Sequence, residues 1–166
     1  VTTKIIDPTR LEKVYSFMNK QIDGGLQCMV VYPLVEESEK SDLAAAVEMY
    51  NYLKKNTFSG HSVGLIHGKM NPEEKKTIMN RFKQNEIQII ISTTVIEVGI
   101  DVPNATVMLI EHAERFGLTQ LHQLRGRVGR GKEKSYCILV NRGPNERSLS
   151  RLEIMEKTND GFKIAD

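Results

Sequence analysis

Residues 71–92, "NPEEKKTIMNRFKQNEIQIIIS", decide the fold class. Asn71 stands where a helix N-cap belongs, and Pro72 suits the first helical position. Glu73 and Glu74 put acids in the first turn, where the helix dipole favours them. The pattern predicts a helix over "NPEEKKTIMNRFKQ". It gives way to "IQIIIS" (87–92), an apolar run that predicts a buried strand. A helix feeding a strand that is apolar throughout is the repeating unit of a mainly parallel sheet covered on both faces.

The rest of the chain repeats the alternation. "LEKVYSFMNKQI" places Leu11, Val14, Tyr15, Met18 and Ile22 at helical spacing, stopped by Gly24-Gly25. "LQCMVVY" (26–32) predicts a strand ended by Pro33, and "SDLAAAVEMYNYLKK" predicts a helix through Leu43, Val47, Tyr50 and Leu53. Further strands are predicted at "HSVGLI" (61–66), "ATVMLIE" (105–111) and "SYCILV" (135–140), with a closing helix in "NERSLSRLEIMEKT". Five strands are thus expected. The link into 105–111 has no room for a full helix. Sheets of this kind bind ligands beyond the carboxyl ends of their strands. That directs attention to "YPLVEES" (32–38), "HGKM" (67–70), "STTVIEVGID" (92–101) and "EHAERFG" (111–117).

Composition sets the bounds. The chain has 166 residues, 40% hydrophobic and 27% charged, enough for one globular domain with a real core. No apolar run approaches the roughly 20 residues that span a bilayer, so no membrane partner is expected. A start at Val1 suggests a piece of a longer protein. The net charge of +2 is too mild to indicate nucleic acid. Its distribution says more: between Leu121 and Ser135 five cations (Arg125, Arg127, Arg130, Lys132, Lys134) face Glu133 alone, which suggests a local anion site. Cys28 and Cys137 lie far apart in apolar stretches and read as small buried hydrophobes, neither paired nor ligating.

Several chemistries are missing. "VGLIHGKM" lacks the glycine at 63 and the Ser or Thr at 70 of a phosphate loop. "GRVGRG" follows a helix rather than a strand, so it is no dinucleotide fingerprint. No Asp-Glu dipeptide offers a magnesium site, and His61, His67, His112 and His122 form no metal pattern.

What remains is "LTQLHQLRGRVGR" (118–130). Read as one helix, it buries Leu121, Leu124 and Val128 and lines up Gln123, Arg127 and Arg130 on a second stripe, with Arg125 pointing in a third direction. Gly126 and Gly129 would each cost such a helix about 1 kcal/mol relative to alanine, a cost that close approach of another surface would offset. The alternative is a solvated basic face with Gly131 as a C-cap. Arginine suits stabilisation of a transferring γ-phosphoryl group, particularly when it arrives from another domain.

These stretches resemble the superfamily 2 helicases. "QLRGRVGRG" resembles helicase motif VI, "STTVIEVGIDVPNA" resembles motif V, and "GLIHGKM" with Phe82 resembles the short motif after motif IV. "HAERFGLTQLHQLRGRVGRG", "SYCIL" and "RLEIMEKTNDGFKIA" are most similar to the RecG family of ATP-dependent DNA helicases, and the resemblance covers essentially residues 1–166. The transcription-repair coupling factor family shares part of it and is the nearest alternative; a non-catalytic nucleic-acid-binding module is another.

The resemblance implies an α/β, RecA-like fold of the P-loop-NTPase type, as the second of two motor domains in a longer, bacterial, cytoplasmic and nucleoid-associated protein. The first motor domain would bind most of the ATP and Mg2+. Arg127 and Arg130 would then reach the γ-phosphate, with Arg130 the first choice for the finger and Gln123 sensing the nucleotide. Gly99 and Asp101 would line the cleft. Thr93, Thr94 and Val95 would contact the DNA backbone, as would His67 and Gly68. The DNA partners implied are stalled forks and Holliday junctions.

Overall fold

The computed structural model describes residues 1–33, 39–93, 102–143 and 146–158, of which 39–42 as backbone only. Six described strands form one sheet: β1 (Thr2–Ile6), β2 (Gln27–Tyr32), β3 (Val63–Ile66), β4 (Ile89–Thr93), β5 (Ala105–Ile110) and β6 (Tyr136–Val140). Their order is β1-β6-β5-β2-β4-β3, and every pairing is parallel. Helices α1 (Leu11–Asp23), α2 (Glu39–Tyr52), α3 (Pro72–Lys83), α4 (Leu118–Arg125) and α5 (Glu146–Lys157) cover it.

Alternation along the strands sorts the core into two layers. Cys28, Val30, Ile89, Ile91, Val107 and Leu109 face α1 and α2, packing on Val14, Met18, Ile22 and Leu53. Met29, Val31, Ile90, Met108 and Ile110 point the other way, onto Met79 and Phe82 of α3, Leu121 and Leu124 of α4, and Leu152 and Met155 of α5. The central strands are buried at every position, which is why they read as unbroken apolar runs. Both cysteines are buried and free. Burial pushes the Cys137 thiol up to about 12 and the Cys28 thiol higher still, so both stay protonated and act as apolar side chains.

The helix predicted from Asn71 is present. The Asn71 side chain accepts from the Glu74 amide at 2.8 Å and donates to the Glu74 carboxylate at 2.8 Å. Two expectations need correction. β1 is additional to the five strands expected, making six among the described residues. It is a short edge strand in which two Thr and one Lys mask the signal; its buried residues, Thr3 and Ile6, lie on opposite faces. The second correction is the end of α4, which stops at Arg125 and not at Arg130. β4 and β5 flank β2 on either side.

Candidate functional site

Parallel strands give the sheet an amino edge and a carboxyl edge, and the residues singled out in the sequence divide between them. α4 begins just after β5 at the carboxyl edge, where the Gly117 amide donates to the Gln120 side chain at 3.0 Å. It then runs back along the sheet. Its last turn, and residues 126–131 beyond it, reach the amino edge, against Val1, Pro103 and Ser135, which precede β1, β5 and β6.

The turn explains the glycines. Gly126 caps α4 in ordinary right-handed conformation, its amide bonded to the His122 carbonyl at 3.0 Å. Arg127 and Val128 continue with amides bonded to the carbonyls of Leu124 (3.0 Å) and Arg125 (3.3 Å). Gly129 has φ +83, which side chains rarely tolerate, and a Cβ there would lie 2.5 Å from Val1 Cγ2 and 2.8 Å from Ser135 Oγ. A Cβ at Gly131 would meet the Pro103 carbonyl oxygen at 2.5 Å. The expectation of close approach is therefore met at Gly129, and Gly131 shares that role where a C-cap was the alternative. At Gly126 the fold brings only the helix's own carbonyls near, at 3.4 Å and beyond.

The three arginines face three environments. Arg130 is exposed, with Nε donating to the Gly126 carbonyl at 3.0 Å, and Arg127 is half-buried. Gln123 is exposed on α4, but the continuous helical stripe expected through Gln123, Arg127 and Arg130 is absent, because the helix ends between the first and second of them. Val128 stays in the core, as read from the sequence. Arg125 is inside the protein, 4% exposed. Its Nη1 donates to the Met155 carbonyl at 2.8 Å and to Thr3 Oγ1 at 3.2 Å, and its Nη2 lies 3.5 Å from His122 Nδ1. Burial pulls its guanidinium below the ordinary arginine range without removing the charge.

At the carboxyl edge Thr93 ends β4 and His67 follows β3. Ile66 is registered with Ser92, so His67 and Thr93 are brought side by side. The Lys69 amide donates to His67 Nδ1 at 3.2 Å, closing a turn through the open Gly68. Thr93 is registered with Tyr32 of β2, and the hydroxyls of both are buried without a hydrogen-bond partner. Thr94, Val95, Gly99 and Asp101 lie outside the described residues.

The sequence reading missed a group at this edge. Glu111, after β5, is 2% exposed and accepts from Arg142 Nε at 2.9 Å, while Glu114 accepts from the Arg142 amide at 2.8 Å. That bond to Glu111 holds the Arg142 guanidinium above its ordinary value. With Tyr32, Met49, His112 and Arg115, Glu111 and Arg142 line a cavity of about 460 Å³. The signal was faint: a charged residue one or two places beyond the apolar runs of β5 and β6. Among the described residues, no three His, Cys, Asp or Glu side chains could hold a metal ion, and no helix is long and apolar enough to cross a membrane.

Residues 9–132 match the family described as the helicase conserved C-terminal domain. The ATP-dependent DNA helicase RecG of Aquifex aeolicus is 52% identical over 100% of this chain and 21% of its own length. A solved structure of RecG bound to a three-way DNA junction superposes with a TM-score of 0.85 at 47% identity, over 99% of this chain and 21% of that one. Saccharomyces cerevisiae Dbp5 bound to RNA and ADP BeF3 shares the fold, with a TM-score of 0.65 at 18% identity over 94% of this chain and 38% of that one. The chain spans about a fifth of the length of the curated relatives it matches. The sheet and its covering helices have the RecA-like fold of these proteins, and the chain belongs to the family of the helicase conserved C-terminal domain.

Proposed function

We propose that this chain is the second motor half of an ATP-dependent DNA helicase of the RecG kind, remodelling stalled forks and Holliday junctions in bacterial recombination and repair. One observation carries the reading. The turn at 126–131 lies too close to the strand starts to admit a Cβ at Gly129 or Gly131, yet Arg130 is exposed, in a sequence with no phosphate-loop motif. A guanidinium held on a rigid mount suits charge that arrives on another domain.

In this reading ATP and its Mg2+ are bound mainly by a first RecA-like domain. Arg130 and Arg127 reach the γ-phosphate on closure, and Gln123 senses the nucleotide. Gly99 and Asp101 complete the cleft. His67, Gly68, Thr93, Thr94 and Val95 grip the DNA backbone, so movement along DNA is independent of sequence. The protein would act at the nucleoid in the cytoplasm. The RecG names of relatives that match the whole chain favour this over a transcription-repair coupling factor.

The test is steady-state ATP hydrolysis by the full-length protein with and without forked DNA. DNA-stimulated turnover is expected, with none from residues 1–166 alone. Turnover by the isolated chain, or a full-length protein indifferent to DNA, contradicts the reading.

A further inference from the structure

Arg125 belongs to the same motif as Arg127 and Arg130 but faces the interior. Its three neighbours come from three elements: the Met155 carbonyl in the last turn of α5, Thr3 Oγ1 in β1, and His122 one turn earlier on α4. No carboxylate of the described residues pairs with it. Taking a guanidinium out of water is costly even when it is hydrogen-bonded, and buried ionic groups are often replaced by apolar ones at no loss of stability. Packing alone therefore does not require arginine here.

What arginine supplies that an apolar chain cannot is direction. Its planar fork fixes the last turn of α4 against α5 and β1 together. The next residue, Gly126, caps the helix, and its carbonyl holds Arg130 Nε at 3.0 Å. The orientation of that turn is thereby handed to the exposed arginine.

We propose that Arg125 is the positioning residue for Arg127 and Arg130, its bonds to α5 and β1 setting the direction in which the turn presents them. This rests on the reading of those two arginines as nucleotide contacts. A misaimed group loses rate steeply, because about 1 Å of displacement can cost 100-fold.

The experiment measures kcat and KM for ATP at saturating forked DNA, and thermal melting, in the full-length protein carrying Arg125→Met, Arg125→Lys, Thr3→Val, Arg130→Ala, or Arg125→Met with Arg130→Ala. Arg125→Met is expected to lower kcat by about 10- to 100-fold, leaving KM within about twofold and the melting temperature unchanged or raised. Arg125→Lys should recover part of the rate, since an ammonium can donate to one of the two acceptors. The double variant should lose much less than the product of the single losses, because an arginine that is gone needs no aiming.

Losses that multiply, or a fall in kcat that only mirrors a lower melting temperature, overturn the proposal. Should Arg125→Met fail to fold, Thr3→Val decides: a roughly threefold loss of kcat that disappears in the Arg130→Ala background supports it, and an unchanged kcat overturns it. If Arg130→Ala itself keeps full turnover, the nucleotide-contact reading falls and this proposal with it. If Arg130→Ala is inactive while Arg125→Met is not, only the positioning role falls.

Discussion

Two helices end in glycine at the amino edge of the sheet, for different reasons. α1 stops in a Schellman arrangement: the Gly25 amide bonds the Ile22 carbonyl at 2.9 Å and the Leu26 amide bonds the Gln21 carbonyl at 3.0 Å. Gly25 has φ +93 and open space where a Cβ would be. There glycine supplies a conformation. Beyond α4 the glycines supply nearness: Gly131 lies under the Pro103 carbonyl, and Gly129 adds its φ of +83 to contacts with Val1 and Ser135. One end merely lets the chain turn. The other seats a turn close against three strand starts and puts an arginine in solvent, which is the arrangement expected of a part that acts on something outside its own fold.

The largest effect tests what the held turn is for. Arg130→Ala in the full-length protein should lower kcat by about 1,000-fold, with ATP affinity changed much less. Equal losses in both would make Arg130 a binding residue, and the comparison between the two ends would lose its functional side. Next comes Gly131→Ala, which drives a methyl into backbone. It should destabilise the fold by about 2–4 kcal/mol in denaturant titration; a loss below about 1 kcal/mol would mean that the turn is not clamped.

Gly25→Ala, strained only by its φ, should cost about 1 kcal/mol, clearly less than Gly131→Ala. Equal costs at the two positions would erase the distinction between conformation and nearness. The smallest effect belongs to Gly126, right-handed and exposed. Gly126→Ala should stabilise the fold by about 0.5 kcal/mol. If the same variant loses DNA-stimulated turnover, the surface that needs a glycine at 126 belongs to the nucleotide or the neighbouring domain.

Much of this was legible because local rules and the fold agree. The Asn71 cap, the apolar strands and the solitary cysteines follow from neighbours a few residues apart. α4 was read too long because the spacing of Gln123, Arg127 and Arg130 fits a helix, and spacing does not report that Gly129 adopts a positive φ. The burial of Arg125 is not legible for a related reason: its acceptors, Thr3 and Met155, lie 122 and 30 residues away. The Glu111–Arg142 pair spans 31 residues and forms only because β5 and β6 are adjacent. β1 escaped notice because an edge strand buries little.

The central claim is that the turn after α4 carries its arginines to a phosphate held by another domain. The most direct measurement is a structure of the full-length protein closed on DNA and ADP–aluminium fluoride. The Arg130 or Arg127 guanidinium is expected within about 3 Å of the fluoride, with residues 126–131 keeping the conformation they have in the isolated fold. Both guanidiniums paired with carboxylates of their own domain in that closed state would contradict it.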